Sequence, residues 1–282
     1  MKLNKSIFIA LLAFPLSFLA QEKSDKATEK KLERAAFESS TLVNSQTNVL
    51  YTKGTLQLTM NHRFGMFNNG PGQNDFFGLW APANIRLALD YAVTDRIAVG
   101  FGTTKDSRLQ DLSLKVALLR QTKDNSMPVS VTYYGNVVGD ARPSENFIYP
   151  SDRYSFFNQL IIARRFSSNV SFQIAPSWSH YNYVERPVRN DVCGLEIGGR
   201  VKINPSTSIL LDYSQTVTNY GKDQPKPGVS LGVEFSTGSH AFQLFVTNYR
   251  GIVPQQDIVY NQNDFMKGKF VIGFNITRLW HM

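Results

Sequence analysis

The side chains best suited to acid–base chemistry in this chain are its four histidines, His62, His180, His240 and His281. Two of them directly follow a serine, in Ser179-His180 and Ser239-His240, and a serine activated by histidine is a common hydrolase nucleophile. Adjacent residues of a β-strand point to opposite faces, so neither pair is expected to share a hydrogen bond unless a bulge intervenes. The sequence therefore predicts no enzyme and no catalytic residue.

Metal and cofactor chemistry also find little support. Cys193 is the single cysteine, and the histidines do not have the spacing of a metal-binding motif. The loop acids Asp257 and Asp264 are too sparse to build a calcium loop. We expect no metal site, no cofactor-binding site and no cofactor.

The elements that must position any functional side chain are short alternating segments. From about Thr55 onward, stretches of roughly 8–12 residues alternate apolar and polar side chains, which is typical of β-strands. In the stretch 84–93, for example, Ile85, Leu87, Leu89 and Tyr91 alternate with polar or small residues. About twelve such segments follow one another, although 154–166 is apolar on both faces and its register stays open.

The connections alternate strictly between short turns and longer polar loops. Thr94-Asp95 is one of the short turns, whereas 65–83 and 249–265 are long. This rhythm is typical of outer-membrane barrels, which have tight periplasmic turns and long external loops. We predict an all-β fold, a closed antiparallel transmembrane β-barrel of about twelve strands, within a range of roughly 10 to 14.

A soluble sandwich would show the same alternation, so the membrane prediction depends on further features. Aromatic residues recur near strand ends, as expected for interfacial girdles, and the last segment is strongly amphipathic and ends near Trp280. Pro176 is a misfit, because a closed barrel has no edge strand to hide a missing N–H. A bulge at Pro176, or an earlier exit from the membrane, would resolve it.

The first residues indicate export. Lys2 and Lys5 precede the apolar run 7–20, which predicts a signal peptide over 1–20. We assign 21–53 to a periplasmic segment that offers a surface for a periplasmic protein partner, and 54–282 to the barrel. The formal charge is +8 and falls to +6 without the two signal lysines. The expected location is the outer membrane, with its lipid as a partner, and nucleic acid is excluded.

Several short blocks carry a resemblance to a known family. They are His62-Arg63-Phe64-Gly65, Asn84-Ile85-Arg86-Leu87, Gly139-Asp140-Ala141-Arg142-Pro143 and Ala175-Pro176-Ser177-Trp178-Ser179-His180-Tyr181. In these blocks the chain resembles a family of exported bacterial outer-membrane β-barrel proteins of unassigned function. The likeness spans most of the mature chain, and it implies the barrel and adds little about activity.

If the apolar faces meet lipid, the barrel interior carries four positive and four negative side chains. These predicted lumen-lining residues are Arg86, Asp90, Lys115, Glu196, Arg200, Lys202, Asp212 and Glu234. The favoured hypothesis is a narrow channel or passive transporter for small solutes. The alternative is a non-conducting scaffold or partner-docking barrel whose interior charges pair with one another, and a membrane-embedded lipid hydrolase is the remote alternative. The loops 65–83 and 249–265 fold either into the pore or outward.

Overall fold

The computed structural model describes residues 31–67 and 75–282. By its contacts the chain divides into residues 1–31 and 32–282, and apart from Lys31 all described residues belong to the second unit. The predicted signal peptide, 1–20, lies outside the described residues. Within the described ranges, no helix has the length and apolar character needed to cross a membrane.

Residues 55–281 form a closed barrel of twelve antiparallel strands, as predicted. Each strand pairs with its neighbours in sequence, and the first and last barrel strands pair with each other, so the sheet has no free edge. The strands are β3 (Thr55–Met66), β4 (Asn84–Thr94), β5 (Ile97–Thr104), β6 (Leu109–Leu119), β7 (Ser130–Asp140), β8 (Tyr154–Arg165), β9 (Val170–Tyr181), β10 (Asp191–Asn204), β11 (Thr207–Thr216), β12 (Gly228–Ser236), β13 (His240–Thr247) and β14 (Val271–His281).

Helices are few and short. One α-helix, α1 (Pro254–Tyr260), lies in the loop between β13 and β14 among the described residues. Single 3₁₀ turns occupy other connections: Asp106–Arg108, Ser144–Asn146, Pro150–Arg153, Gly221–Asp223 and Phe265–Lys267. Proline at the start of α1 suits the helix because its missing N–H would have no intrahelical partner there.

The alternation along each strand sorts apolar side chains outward and polar side chains inward. In β9, Val170, Phe172 and Trp178 are exposed, whereas Ser171 and Gln173 are buried. This is the reverse of a water-soluble barrel, in which the interior is apolar. The polar inner wall is the surface on which any functional site of the barrel must be built.

Two uncertainties of the sequence are resolved in β8 and β9. In β8, Phe157 and Ile161 are buried and Leu160 is exposed, which sets the register of this strand. β9 runs through Pro176 with an unchanged register on both sides, and the β8–β9 ladder skips the pairs between Gln159↔Ser177 and Ile162↔Ile174. The missing N–H of Pro176 is thus accommodated by a local gap in one ladder, and neither the bulge nor the early exit considered above occurs.

The segment before the barrel lies inside it. Residues 36–50, here called the plug, include a small hairpin of β1 (Thr41–Leu42) and β2 (Ser45–Gln46). Their side chains and main chain contact inward-facing residues of strands on opposite sides of the barrel, such as Lys115 and Gln243. Of the predicted periplasmic segment 21–53, residues 36–50 thus pack inside the barrel, whereas Glu33 donates its N–H to the Gln121 carbonyl in the β6–β7 turn.

Candidate functional site: the plugged barrel interior

The eight charged residues predicted from alternation all lie on the inner face of their strands. Five are buried, and the other three, Arg86, Asp90 and Lys202, are half-buried. Their partners lie largely outside the predicted set. The plug supplies most of these partners. Neither the open channel nor the barrel with mutually paired interior charges, the two arrangements expected from the sequence, includes such a segment.

Arg86 forms an ion pair with a wall residue that the sequence prediction missed. Its guanidinium donates two hydrogen bonds to Asp111, from Nε to Oδ2 at 2.9 Å and from Nη2 to Oδ1 at 2.6 Å. Asp111 lies four residues before Lys115 on the same face of β6. The signal that could have found Asp111 is the alternation itself, since β6 begins at Leu109 and Asp111 has the inward period of Lys115.

Glu38 of the plug binds two of the predicted cations of β10. Its Oε1 accepts hydrogen bonds from Arg200 Nη1 at 2.7 Å and from Lys202 Nζ at 3.1 Å. Burial alone would raise the pKa of the Glu38 carboxyl, but the hydrogen bonds and charges of Lys202 and Arg200 hold this pKa below its usual value. The contacts of Glu38 with Arg200 and Lys202 bind the start of the plug to the wall.

Asp212 and Glu234 are acceptors for the plug. Asp212 accepts from the Ser45 hydroxyl at 2.6 Å and from the main-chain N–H groups of Asn44 and Ser45 at 2.9 and 3.2 Å. Glu234 accepts from the Ser39 hydroxyl at 2.6 Å. Glu234 also accepts from the wall residue Gln243 at 2.8 Å. The hydrogen bonds to both carboxylates compensate in part for their removal from water.

Lys115 and Asp90 face a small cavity between the plug and strands β3–β7. The cavity has a volume of about 40 Å³, enough for roughly three water molecules. Lys115 Nζ donates to the Ser40 carbonyl at 3.1 Å, and Tyr134 and Gln57 complete part of the lining. This cavity is therefore small and is lined by both polar and apolar side chains.

Arg63 is the second charged wall residue that the sequence prediction missed. Its guanidinium donates to Asn275 Oδ1 and to the plug residue Asn44, each at 2.9 Å, and lies 4.4 Å from the centre of the Phe245 ring. The inward set of β3 is polar throughout, including Gln57 and Asn61. Arg63 follows this period, which is the signal that could have placed it on the inner wall.

Two glycines on the inner face of β10 allow the segments inside the barrel to pack directly against the wall. A Cβ atom at Gly198 would overlap Cδ2 of Leu42, so the plug's leucine lies directly on the wall there. A Cβ atom at Gly194 would lie 2.9 Å from Cγ2 of Ile258. Only a residue without a side chain allows both approaches, because real Cβ contacts are longer. Gly199, in contrast, faces outward, with only one atom at 4.0 Å.

The loop of residues 249–265, here called the lid, folds inward, which the sequence had left open. Ile258 and Val259 of α1 are buried, and they belong to an apolar cluster with Val192 and Tyr220. Polar contacts add to this, since the Ile258 carbonyl accepts from the Thr216 hydroxyl. The lid thus packs against strands β8–β11 of the inner wall.

Asp257 of the lid is buried among other charged groups. Desolvation is the main cause that raises the pKa of its carboxyl to about 8, and the nearby charges of Glu196 and Asp212 act in the same direction. Arg63 and a hydrogen bond from the Gly251 backbone oppose this rise. The lid therefore carries a group that titrates near neutral pH.

One of the two Ser–His pairs differs from expectation. Ser239 Oγ lies 3.0 Å from His240 Nδ1, because Ser239 belongs to a turn rather than a strand and strand alternation does not apply to it. Both side chains are exposed at the short-turn rim. Ser179 and His180 do point to opposite faces, and His180 Nδ1 lies 2.9 Å from Asp191 Oδ1 on the outer face.

One further pattern has the spacing of a hydrolase nucleophile elbow, Gly228-Val229-Ser230-Leu231-Gly232. An elbow needs a sharp strand-to-helix turn that exposes the serine. Here the five residues lie within the continuous strand β12, and the buried Ser230 hydroxyl contacts Thr247 and Asn44. This serine serves in plug binding.

Comparison with protein families identifies the chain. A family model described as a membrane bound beta barrel domain (DUF5777) matches residues 37–280. The chain belongs to this family. The matched range includes nearly all of the plug as well as the barrel, so the plug is part of the family domain. The comparison with curated proteins gives no match.

Solved structures agree with the fold. The chain is similar to the NanC porin, with a TM-score of 0.51 and 9% identity over 80% of this chain and 99% of that chain. A match to an outer membrane channel from Pseudomonas putida F1 has a TM-score of 0.47 and 12% identity, over 82% and 97% of the two chains. LpxR from Salmonella typhimurium gives 0.37 and 12%, over 80% and 100%.

These identities concern the fold alone. Together with the outward-facing apolar residues, the family and the porin fold make this protein an outer-membrane β-barrel. Its environment is membrane lipid, as predicted.

Proposed function

We propose that this protein is a passive channel for small polar solutes, and that the plug holds it closed at rest. The observation that carries this proposal is the chemistry of the plug contacts. Charged and amide side chains of the wall, such as Asp212 and Arg200, bind the plug through hydrogen bonds. Water can replace the plug at each of these groups, so the wall is also suited to a wet lumen.

The energetics favour a plug that can be displaced. An intramolecular hydrogen bond contributes only about 0.5–1.5 kcal/mol net, because water offers competing bonds. Each plug residue that leaves the wall regains about 1–2 kcal/mol of backbone conformational entropy. The few buried apolar side chains of the plug, Leu42 and Val43 among them, then supply much of the remaining affinity.

The alternative is a permanently closed scaffold barrel. The observation in its favour is that two separate segments, the plug and the lid, both occupy the interior. A scaffold has no need of an open state, and its long loops would then dock a partner. The two functions differ in one measurable property, which is conductance after the plug has been loosened.

The test is single-channel conductance in planar bilayers of the refolded mature chain carrying Gly198→Leu. The leucine occupies the position of the Leu42 side chain and removes no polar group from the wall. We expect discrete openings that the parent protein lacks. Gly199→Leu is the matched control. The same change one residue away points outward, away from the plug, and should leave the barrel silent.

Two further variants complete the test. Adding Leu42→Ala to Gly198→Leu restores room for the plug, so the double variant should return toward the silent state. Gly194→Leu combined with Gly198→Leu displaces the lid as well, because a side chain introduced at position 194 would overlap Ile258. If a correctly folded barrel stays silent with both leucines present, the channel proposal fails and the scaffold stands.

A further inference from the structure

The inner wall binds the main chain of the plug, and not only its side chains. Wall side chains donate to four plug carbonyl groups at distances between 2.8 and 3.1 Å, and Arg63 adds a longer hydrogen bond of 3.3 Å to the Val43 carbonyl. The carboxylate of Asp212 accepts from two successive plug N–H groups. The donors and the carbonyls that they bind are Lys115 to Ser40, Gln243 to Thr41, Asn275 to Val43 and Gln173 to Gln46.

This pattern is specific for a peptide. Main-chain carbonyl groups only accept hydrogen bonds and N–H groups only donate, so a peptide requires separate donors and acceptors in sequence along the wall. A sugar hydroxyl both donates and accepts, and it needs no such order. An anion would need clustered cations, whereas Gln173, Gln243 and Asn275 are neutral amides.

The wall also distinguishes plug side chains. Leu42 lies on the bare backbone of Gly198. Two residues later, the Asn44 amide donates to the hydroxyls of Ser230 at 2.9 Å and Thr247 at 3.0 Å, and its oxygen accepts from Arg63. An apolar well and an amide pocket thus lie two residues apart along a bound peptide.

Further polar groups of the wall are buried and have no hydrogen-bond partner within the part of the chain that the structure describes. They lie on β9 and include the hydroxyls of Ser177 and Ser179. Ser177 is 8% exposed and Ser179 is fully buried. Such groups extend the peptide-binding surface beyond the positions that the plug occupies.

We infer that the solutes of this channel are short peptides with small apolar and uncharged polar side chains, and that the plug occupies their path. This inference rests on the proposed channel function. Peptide and plug would then compete for the same wall groups, so a peptide in transit replaces the plug's hydrogen bonds one for one.

The experiment uses a variant in which the plug is displaced and the wall is intact. Leu42→Asp places a charge against Gly198 without a partner, which burial strongly disfavours. The probe is a synthetic peptide with the sequence of residues 38–47, Glu-Ser-Ser-Thr-Leu-Val-Asn-Ser-Gln-Thr. A scrambled peptide of the same composition is the control for charge and length.

Binding is measured first, by fluorescence anisotropy of the labelled peptide with the refolded Leu42→Asp barrel in detergent. We expect saturable binding of the native sequence and at least about ten-fold weaker binding of the scrambled one, since the leucine then misses its well. The Gly198→Leu barrel, whose well is filled, should show a similar loss. Equal binding of both peptides, or no binding, would overturn the inference even if the barrel conducts.

Conductance then separates the inference from the proposed function. In Leu42→Asp channels the native peptide should interrupt the current in a concentration-dependent manner, and the scrambled peptide should not. Proteoliposomes should swell faster in tripeptides of serine, leucine and asparagine than in a neutral disaccharide of similar mass. Open channels that favour the disaccharide contradict the peptide class but keep the channel. Silent barrels that bind the peptide contradict transport and keep the recognition site.

Discussion

The plug and the lid enter the same barrel but are anchored there differently. Both contribute to one buried apolar cluster, through Leu42 and Val43 of the plug and Ile258 and Val259 of the lid. The plug is bound in addition by charged and amide side chains of the wall, such as Arg200 and Gln243. The lid is a loop between β13 and β14, so both of its ends are anchored in the sheet, whereas the plug precedes the first barrel strand.

This difference indicates which of the two segments can leave the barrel interior. Polar contacts can be exchanged for water, whereas apolar burial is lost outright when a segment leaves. Because the lid connects two neighbouring strands and the plug precedes the first one, the plug is suited to gating and the lid to a lasting constriction.

The largest effect on stability is expected in the lid. Ile258→Ala removes a side chain that is 1% exposed, and such truncations cost about 2–5 kcal/mol. Hydrogen exchange of the amides in α1 should speed up accordingly, with little dependence on salt. Met266→Ala, next to the lid at a side chain that is 90% exposed, is the control. Unchanged protection in Ile258→Ala would mean that the lid is not held by apolar burial.

A second effect is the pH dependence of the lid. Because the pKa of Asp257 in the closed lid is raised to about 8 from its usual value of 3.8, the closed lid favours the protonated acid. The stabilisation that protonated Asp257 gives the closed lid is fully present below its usual pKa of 3.8 and declines as the pH rises toward about 8. Exchange protection of α1, corrected for intrinsic rates, should thus fall between pH 5 and pH 8.

Asp257→Asn is the matched variant, since an amide has nearly the shape of the protonated acid and cannot ionise. Its lid should keep the same protection from pH 5 to pH 8. Glu196 and Asp212 face the same region, so a residual slope that persists in Asp257→Asn would assign the titration to those wall carboxyls instead.

The smallest effect is expected at the salt bridge of the plug. Glu38→Gln removes the charge that binds Lys202 and the buried Arg200 but leaves an amide oxygen as acceptor. We therefore expect a loss of about 1 kcal/mol, the upper end of the range for partly exposed ion pairs. Exchange of the plug amides should accelerate by a few-fold at low salt, and the difference should shrink at high salt. Glu33→Gln, whose carboxylate lies 3.9 Å from Arg165, is the control.

The same pair has a pH dependence of opposite sign to that of the lid. The pKa of Glu38 is lowered by its cationic partners, so its contribution is present above the usual value near 4.5 and is lost as the pH falls below it. Acid should loosen the plug, whereas alkali should loosen the lid. A plug whose protection is constant down to about pH 3 would contradict the assigned role of Glu38.

Much of the barrel was predictable because its signals are local. The period of two along β4 and the short turn at Thr94-Asp95 depend on neighbouring residues only, and the structure has twelve strands with these connections. The inward faces follow from the same period, and Arg86 and Glu234 lie on the inner face of their strands. Asp111 and Arg63 have the same period but were left out of the predicted set.

The order of polar and apolar residues along the chain by itself determined that this protein is an outer-membrane β-barrel with a charged inner face. The occupants of that interior were decided only by the tertiary structure. The contacts that hold the plug, such as Ser39 with Glu234 and Asn44 with Asp212, join residues more than 160 positions apart. No local period encodes such contacts, because they form only after the closed sheet has brought its strands around the segment that precedes them.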